Sequence, residues 1–235
     1  MELANRLWRS SLGKKYLMAL SGCALFLFVV GHMIGNLQVF LGPEALNRYA
    51  HFLQSTPEIL WPARLGLLAL VTLHVVTAIR LWAENRAARP VAYSTYTPIE
   101  ASYASRTMVV SGVIVAAFIV FHLLHFTLQK PVGLNLSGQD FAQLHDAHQR
   151  HDVFRMVVVG FQQAPVSIFY IAAVGLLCLH LRHGLQAWFQ SLGLRNEAWR
   201  RPIDTLAWVA AAVVFLGNSS IPVGILLGFG KDMVK

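Results

Sequence analysis

Six histidines, His32, His74, His122, His125, His180 and His183, fall inside apolar stretches of the chain and offer the most chemistry. A neutral imidazole has one nitrogen with a free lone pair and one that carries a proton, so it can ligate a metal, carry a proton or fill a hydrogen bond. An ionisable side chain among apolar residues marks a functional position unless a neighbouring carbonyl simply satisfies it. The two cysteines, Cys23 and Cys178, both lie in apolar runs. Their number excludes a disulfide framework, a four-cysteine iron–sulfur site and a zinc ribbon. A redox metal therefore needs other ligands. His145, His148 and His151, spaced by three in a more polar segment, could bind a metal or relay protons, and a solvated helical face is the plainer reading.

Apolar residues make up 56% of the 235 positions, charged ones 13%, and mean hydropathy is +0.53. A soluble domain carries roughly 25% charged residues, so the chain reads as a membrane protein. Stretches free of Asp, Glu, Lys and Arg run over Tyr16–Pro43, Leu65–Ile79, Thr107–Gln129, Met156–Leu181 and Thr205–Gly230. A helix needs roughly 20 residues to cross the hydrocarbon core. The second stretch is short, but Trp61 and Arg64 on one side and Arg80 and Trp82 on the other suit a membrane interface. Five spans are expected, near 16–40, 60–84, 107–129, 165–189 and 205–229, forming an all-α membrane domain over 16–235. The first run is too long for the apolar part of a signal peptide and lacks an A-x-A-like cleavage site. Before it, residues 1–15 interleave Leu3, Leu7 and Trp8 with Arg6 and Arg9, which suits a short cytoplasmic interfacial helix.

Twelve of the 19 basic residues fall on the side of the N-terminus and seven on the other. The positive-inside bias then puts the N-terminus in the cytoplasm and accounts for the net charge of +8 without nucleic acid. Lys14, Lys15, Arg89, Arg195, Arg200 and Arg201 form a basic inner surface where hydrophilic partners would dock, although attraction to lipid headgroups explains it too. The first outer loop, Gly42 to Thr56, places Leu46, Tyr49, Ala50 and Leu53 at helical spacing after Gly-Pro, which predicts a short amphipathic helix. The long loop from Lys130 to Ala164 contains a run, Phe141 to His151, that is also compatible with a helix. Spans 1–2 and 3–4 suggest an internal repeat, each pairing a rising with a descending helix that bears a late histidine.

Counting along the spans sorts four histidines into two levels. His32 and His122 lie roughly 24 Å above the inner face, and His74 and His180 roughly 20 Å below the outer one. Each level draws one histidine from each of two helices, as a bis-histidine haem requires, since its iron takes an imidazole from either side of a flat macrocycle. His32 pairs with His122 as the distal site and His74 with His180 as the proximal one, with levels roughly 15 Å apart. His125 and His183, three residues beyond His122 and His180, remain rival ligands on depth alone. Gly31, Gly35, Ala69, Ala78, Gly175 and Gly184 would let a porphyrin approach the backbone, or simply let helices pack. Arg80 and Arg182 would meet haem propionates or serve as inner-face anchors.

The stretches Ser11–Gly22 (SLGKKYLMALSG), Gly31–Gln38 (GHMIGNLQ), Gly42–Leu53 (GPEALNRYAHFL), Phe154–Met156 and Leu179–Leu185 (LHLRHGL) resemble the di-haem cytochrome b558 membrane anchor of succinate dehydrogenase and fumarate reductase. The resemblance implies haem iron ligation by His32, His74, His122 and His180, and so decides between the rival pairs. It implies two haems b, a quinone substrate such as menaquinone, and cytoplasmic partners: a flavoprotein with covalent FAD and an iron–sulfur protein. It also implies a multi-pass place in a bacterial-type inner membrane and a role in the tricarboxylic acid cycle without catalysing succinate chemistry itself. Some members carry a glutamate two residues before the fourth ligand; here that position is Cys178, which puts transmembrane proton return in doubt.

The expected function is thus electron transfer between the iron–sulfur partner and quinone through two b haems. Alternatives are a cytochrome b subunit of another respiratory complex, or a transporter with histidine proton relays, which predicts embedded carboxylates. A second haem further out serves no purpose if quinone reacts only at the inner face. A quinone site is therefore expected beside the distal pair, with Asn36, His51 and Gln54 as donors to its carbonyls.

Overall fold

Among the described residues of the computed structural model, five helices are long and apolar enough to cross a bilayer. The structure describes residues 2, 8–89, 91, 106–129 and 136–234. Leu3, Arg6, Leu7 and Lys130, which entered the expectations above, lie outside that set. In chain order the helices are α1 (Ser11–Leu37), α2 (Pro43–Gln54), α3 (Pro57–Ala87), α4 (Met108–His122), α5 (Val153–Phe161), α6 (Ala164–Ser191) and α7 (Glu197–Leu226). A 3₁₀ turn, Gln38–Leu41, follows α1, and a π turn, Leu123–Thr127, prolongs α4. The spanning helices are α1, α3, α4, α6 and α7, each overlapping one of the five expected spans, with the 3₁₀ turn extending α1 and the π turn extending α4.

Large apolar side chains lie exposed along them: Leu12, Leu20, Leu27 and Ile34 on α1, Leu65, Leu68 and Ile79 on α3, Leu206, Val209, Val213 and Leu216 on α7. In water such rows would be an aggregation hazard; in a bilayer they face a solvent as apolar as themselves. Helices are the form the chain can take there, because each closes its backbone hydrogen bonds internally. The protein is a multi-pass membrane protein.

The chain divides into two compact units, and each spanning helix contributes to both. One unit comprises residues 1–28, 64–113 and 179–211. In it α1 meets α3 through Lys14, whose side chain is only 3% exposed and pairs with Glu84 at 2.9 Å while donating to the Trp8 carbonyl at 3.3 Å. Lys14 is therefore committed inside the protein and leaves the basic docking set, whereas Lys15 stays exposed. Arg195, another member, binds Asp204 at 3.0 Å, and Gln186 donates to the same carboxylate, joining α6 to α7.

The second unit comprises residues 29–63, 114–178 and 212–235. Its core is α5, buried at Phe154 and from Met156 to Phe161 against Val39, Leu46, Phe141, Tyr170, Ile221 and Ile225. The charge-free stretch from Met156 thus holds two helices. Asp152 caps α5 by accepting from the Arg155 amide at 2.9 Å, and α6 begins afresh at Ala164. Asn47, 1% exposed on α2, donates to Asp152 at 2.9 Å and accepts from the Phe154 amide at 2.9 Å, fastening α2 to α5.

The run Phe141 to His151 is not the helix that its spacing suggested. It forms a 3₁₀ turn over Phe141–Gln143, then a tight loop closed by a backbone bridge between His145 and His151. Asp146 causes the difference: its carboxylate accepts from the amides of His148 and Arg150 at 2.9 and 3.0 Å, a local turn that competes with helix. Gln149 takes up the reversal at φ 59°.

Candidate functional site

His74 and His180, on α3 and α6, bring their ring centroids to 6.5 Å. Both belong to the first unit. Each ring is held from behind by a serine of another helix: Ser21 Oγ of α1 lies 3.1 Å from His74 Nδ1, and Ser111 Oγ of α4 lies 3.2 Å from His180 Nδ1. The residue after each serine is glycine, and a Cβ at Gly22 would stand 3.2 Å from His74 Cε1, one at Gly112 3.6 Å from His180 Cε1. At Gly22 the absent side chain is what lets the His74 ring lie against α1, whereas at Gly112 a methyl would make ordinary contact with the His180 ring.

His32 and His122, on α1 and α4, bring their ring centroids to 5.7 Å at an interplanar angle of 89°. This pair belongs to the second unit. Tyr170 Oη lies 3.4 Å from His122 Nδ1 and 3.1 Å from His125 Nδ1. His125 is 3% exposed, enclosed by Phe121, Phe126, Phe141 and Tyr170, with Gly160 leaving room for the Phe126 ring beside it. It sits in the π turn, where Leu128 N bonds to Leu123 O and the helix takes in an extra residue. Such a turn changes the direction of the side chains that follow and is frequent at functional sites. His125 is linked to His122 through the shared Tyr170 hydroxyl.

An imidazole nitrogen binds a transition metal at about 2 Å and lies roughly 1 Å from its ring centroid, so two axial rings on one iron stand roughly 6 Å apart. Both observed separations fall beside that value, and the residues fit a bis-histidine haem at each pair. Among the described residues no three His, Cys, Asp or Glu side chains converge on a metal position, so His145, His148 and His151 do not form one. His151 instead joins Gln129 at 2.9 Å and the Leu144 carbonyl at 3.1 Å.

The propionate candidates are occupied differently. The Arg182 guanidinium stacks on Trp208 at 3.9 Å, and its buried Nε has no hydrogen-bond partner among the described residues. Arg80 lies over Trp8 at 5.7 Å. Of the quinone candidates, Asn36 donates to the His32 carbonyl at 2.8 Å, one turn on, while His51 and Gln54 are exposed on α2. Of the small residues singled out by position, Gly35 accommodates the Tyr49 hydroxyl and Gly175 meets Phe215, while a Cβ at Gly31 or Gly184 would meet, apart from its own chain neighbours and helix backbone, no atom of the described residues within 4 Å.

Sequence reasoning missed Ser21, Ser111 and Tyr170. A signal for the serines was present: Ser-Gly precedes the histidine of its own helix by the same spacing in Ser21–His32 and Ser111–His122. Leu-His likewise precedes a tryptophan by the same spacing in Leu73–Trp82 and Leu179–Trp188.

A sequence model of the succinate dehydrogenase/fumarate reductase transmembrane subunit family matches residues 83–218, more than half of the chain, including His122 and His180. No curated protein and no solved structure matches.

Proposed function

Since the chain belongs to the succinate dehydrogenase/fumarate reductase transmembrane subunit family, we propose that it is the di-haem cytochrome b anchor of such a complex, with His74 and His180 holding one haem and His32 and His122 the other. The observation that carries this reading is the pairing of four helices' histidines at 6.5 and 5.7 Å. The haems supply reversible one-electron chemistry between an iron–sulfur partner and quinone. The chain supplies ligation, spacing and electrostatics. His125, held by Tyr170, is not a ligand in this reading, and His183 is not one either.

Arg182, whose Nε has no partner among the described residues, offers a charge-assisted hydrogen bond to a propionate, with Arg80 as the second cation. The N-terminus faces the cytoplasm of a bacterial-type cell, and a flavoprotein carrying FAD docks with the iron–sulfur protein on that face, against Lys15, Arg89, Arg200 and Arg201. Quinone, menaquinone in the class that the motifs resemble, reacts beside His32 and His122. Asn36, His51 and Gln54 supply hydrogen bonds to its carbonyls, and all three belong to the same unit as that pair. Electrons reaching such a site cross part of the membrane field, worth about 2.3 kcal/mol per charge per 100 mV for the full thickness.

The test is ligand pairing. Replacing His32 or His122 by alanine should remove the same haem from the assembled complex, and replacing His74 or His180 the other, as followed by the resolved α-bands of a reduced-minus-oxidised spectrum. Loss of different haems within one pair refutes the assignment. His51→Leu and Gln54→Leu should slow quinone turnover with both haems retained.

A further inference from the structure

We propose that Ser21 and Ser111 are positioning residues that hold the ring proton of His74 and His180 on Nδ1, leaving each Nε2 bare for iron and lowering the potential of that haem. The proposal rests on the reading of these histidines as ligands and adds what sets their state. A serine hydroxyl has one hydrogen. That of Ser21 goes to the Leu17 carbonyl at 2.6 Å, and that of Ser111 to the Met108 carbonyl at 3.0 Å, each shorter than the contact to the imidazole. Both are the back-bonds that a serine inside a helix makes to the preceding turn. What remains on each oxygen is acceptor capacity, so the bond to the ring forms only if Nδ1 carries the proton. Nδ1 hydrogen-bonded from behind fixes the tautomer and raises the basicity of the other nitrogen.

Two features separate this from chance contact. Serines on two different helices act on the two members of one pair, and each is followed by the glycine against which the ring lies. The Ser-Gly dipeptide also recurs at equal spacing before His32 and His122, so α1 and α4 each carry a clamp for one pair and a ligand of the other. The second pair is held otherwise, with the Tyr170 hydroxyl shared between His122 and His125. The two sites are therefore built to differ.

A more basic imidazole favours the oxidised iron, so losing the hydrogen bond should make that haem easier to reduce. The experiment is a potentiometric titration of the intact complex in membranes, following the α-bands of both haems in Ser21→Ala, Ser111→Ala and the hydroxyl-retaining Ser21→Thr and Ser111→Thr. The same one of two reduction steps should rise in both alanine variants. The ratio of reduced to oxidised haem at a given potential should change by up to about tenfold, equivalent to about 59 mV for one electron. The threonine variants should restore it, and Tyr170→Phe should leave that step in place. Should an alanine variant fail to assemble, the near-isosteric cysteine variant, a weaker acceptor, carries the same test. Two bound haems with unmoved steps, or serines that move different steps, would overturn the proposal. A wild-type complex without two b haems would overturn the ligand reading and the proposal with it.

Discussion

Gly22 and Gly112 occupy matching places against His74 and His180 but leave different room, so alanine should act differently at the two. At Gly22 the added methyl would stand 3.2 Å from His74 Cε1, inside the roughly 3.5–4.0 Å at which carbon atoms attract, and the ring must retreat by a few tenths of an ångström. Its Nδ1 is tied to Ser21 on the adjoining residue, so retreat stretches that hydrogen bond. Overpacking of this kind costs about 1–3 kcal/mol, while alanine in place of glycine returns up to about 1 kcal/mol to a helix. The helix gain is common to both positions; the clash belongs to Gly22 alone, since at Gly112 the methyl finds ordinary contact at 3.6 Å. Gly22→Ala should therefore weaken retention of the haem at His74 by about tenfold, taking 1.36 kcal/mol per decade, and Gly22→Val should abolish it. Gly112→Ala should retain both haems. The assay is haem content per chain in purified complex, repeated after graded warming so that retention rather than synthesis is compared. Equal retention in Gly22→Ala and Gly112→Ala, or a fully loaded Gly22→Val, would refute the close approach of the ring.

His125→Ala should keep both haems, because the ring lies in the aromatic enclosure around Tyr170; loss of one in the pyridine haemochrome count would make His125 a ligand. Asn47→Leu should destabilise the second unit by about 2–5 kcal/mol, since the buried Phe154 amide and the Asp152 carboxylate both lose a partner; thermal unfolding in detergent measures it, and a change under 0.5 kcal/mol contradicts it. The Arg150 guanidinium hydrogen-bonds Glu44 and holds its carboxyl below the ordinary value. That contribution is present above the unfolded value of about 4.3 and fades as pH falls through the folded one, so wild type and Glu44→Gln should converge in stability on acidification and differ by a constant amount from pH 5 to 7.

The spans were legible because lipid leaves a coarse signature: long runs without charge, closed by tryptophan and arginine. The histidine pairs were proposed for a related reason, since helical rise converts sequence position into an expected depth, and the rings of each proposed pair lie 5.7 and 6.5 Å apart. What depth does not give is angle, and His125 shows why it matters. It differs from His122 by three residues, and a π turn, which no composition announces, begins just after His122 and redirects the His125 ring. The short helix α5 was hidden because Met156 to Leu181 carries no charge at the break; the interruption is made by Asp152 before it and the turn at Gln162 within it. The loop from Phe141 to His151 kept a helical spacing that Asp146 overrode by binding amides locally. Ser21 and Ser111 share a Ser-Gly spacing to the histidine of their own helix, but nothing in that spacing tells which ring each serine meets.

The central claim is that two iron sites are built from two histidine pairs, and a pyridine haemochrome count on the purified complex, with the chain quantified independently, tests it most directly. The account predicts two haems b per chain in the unaltered protein and one after His74→Ala or His122→Ala. One haem or none in the unaltered protein would contradict it.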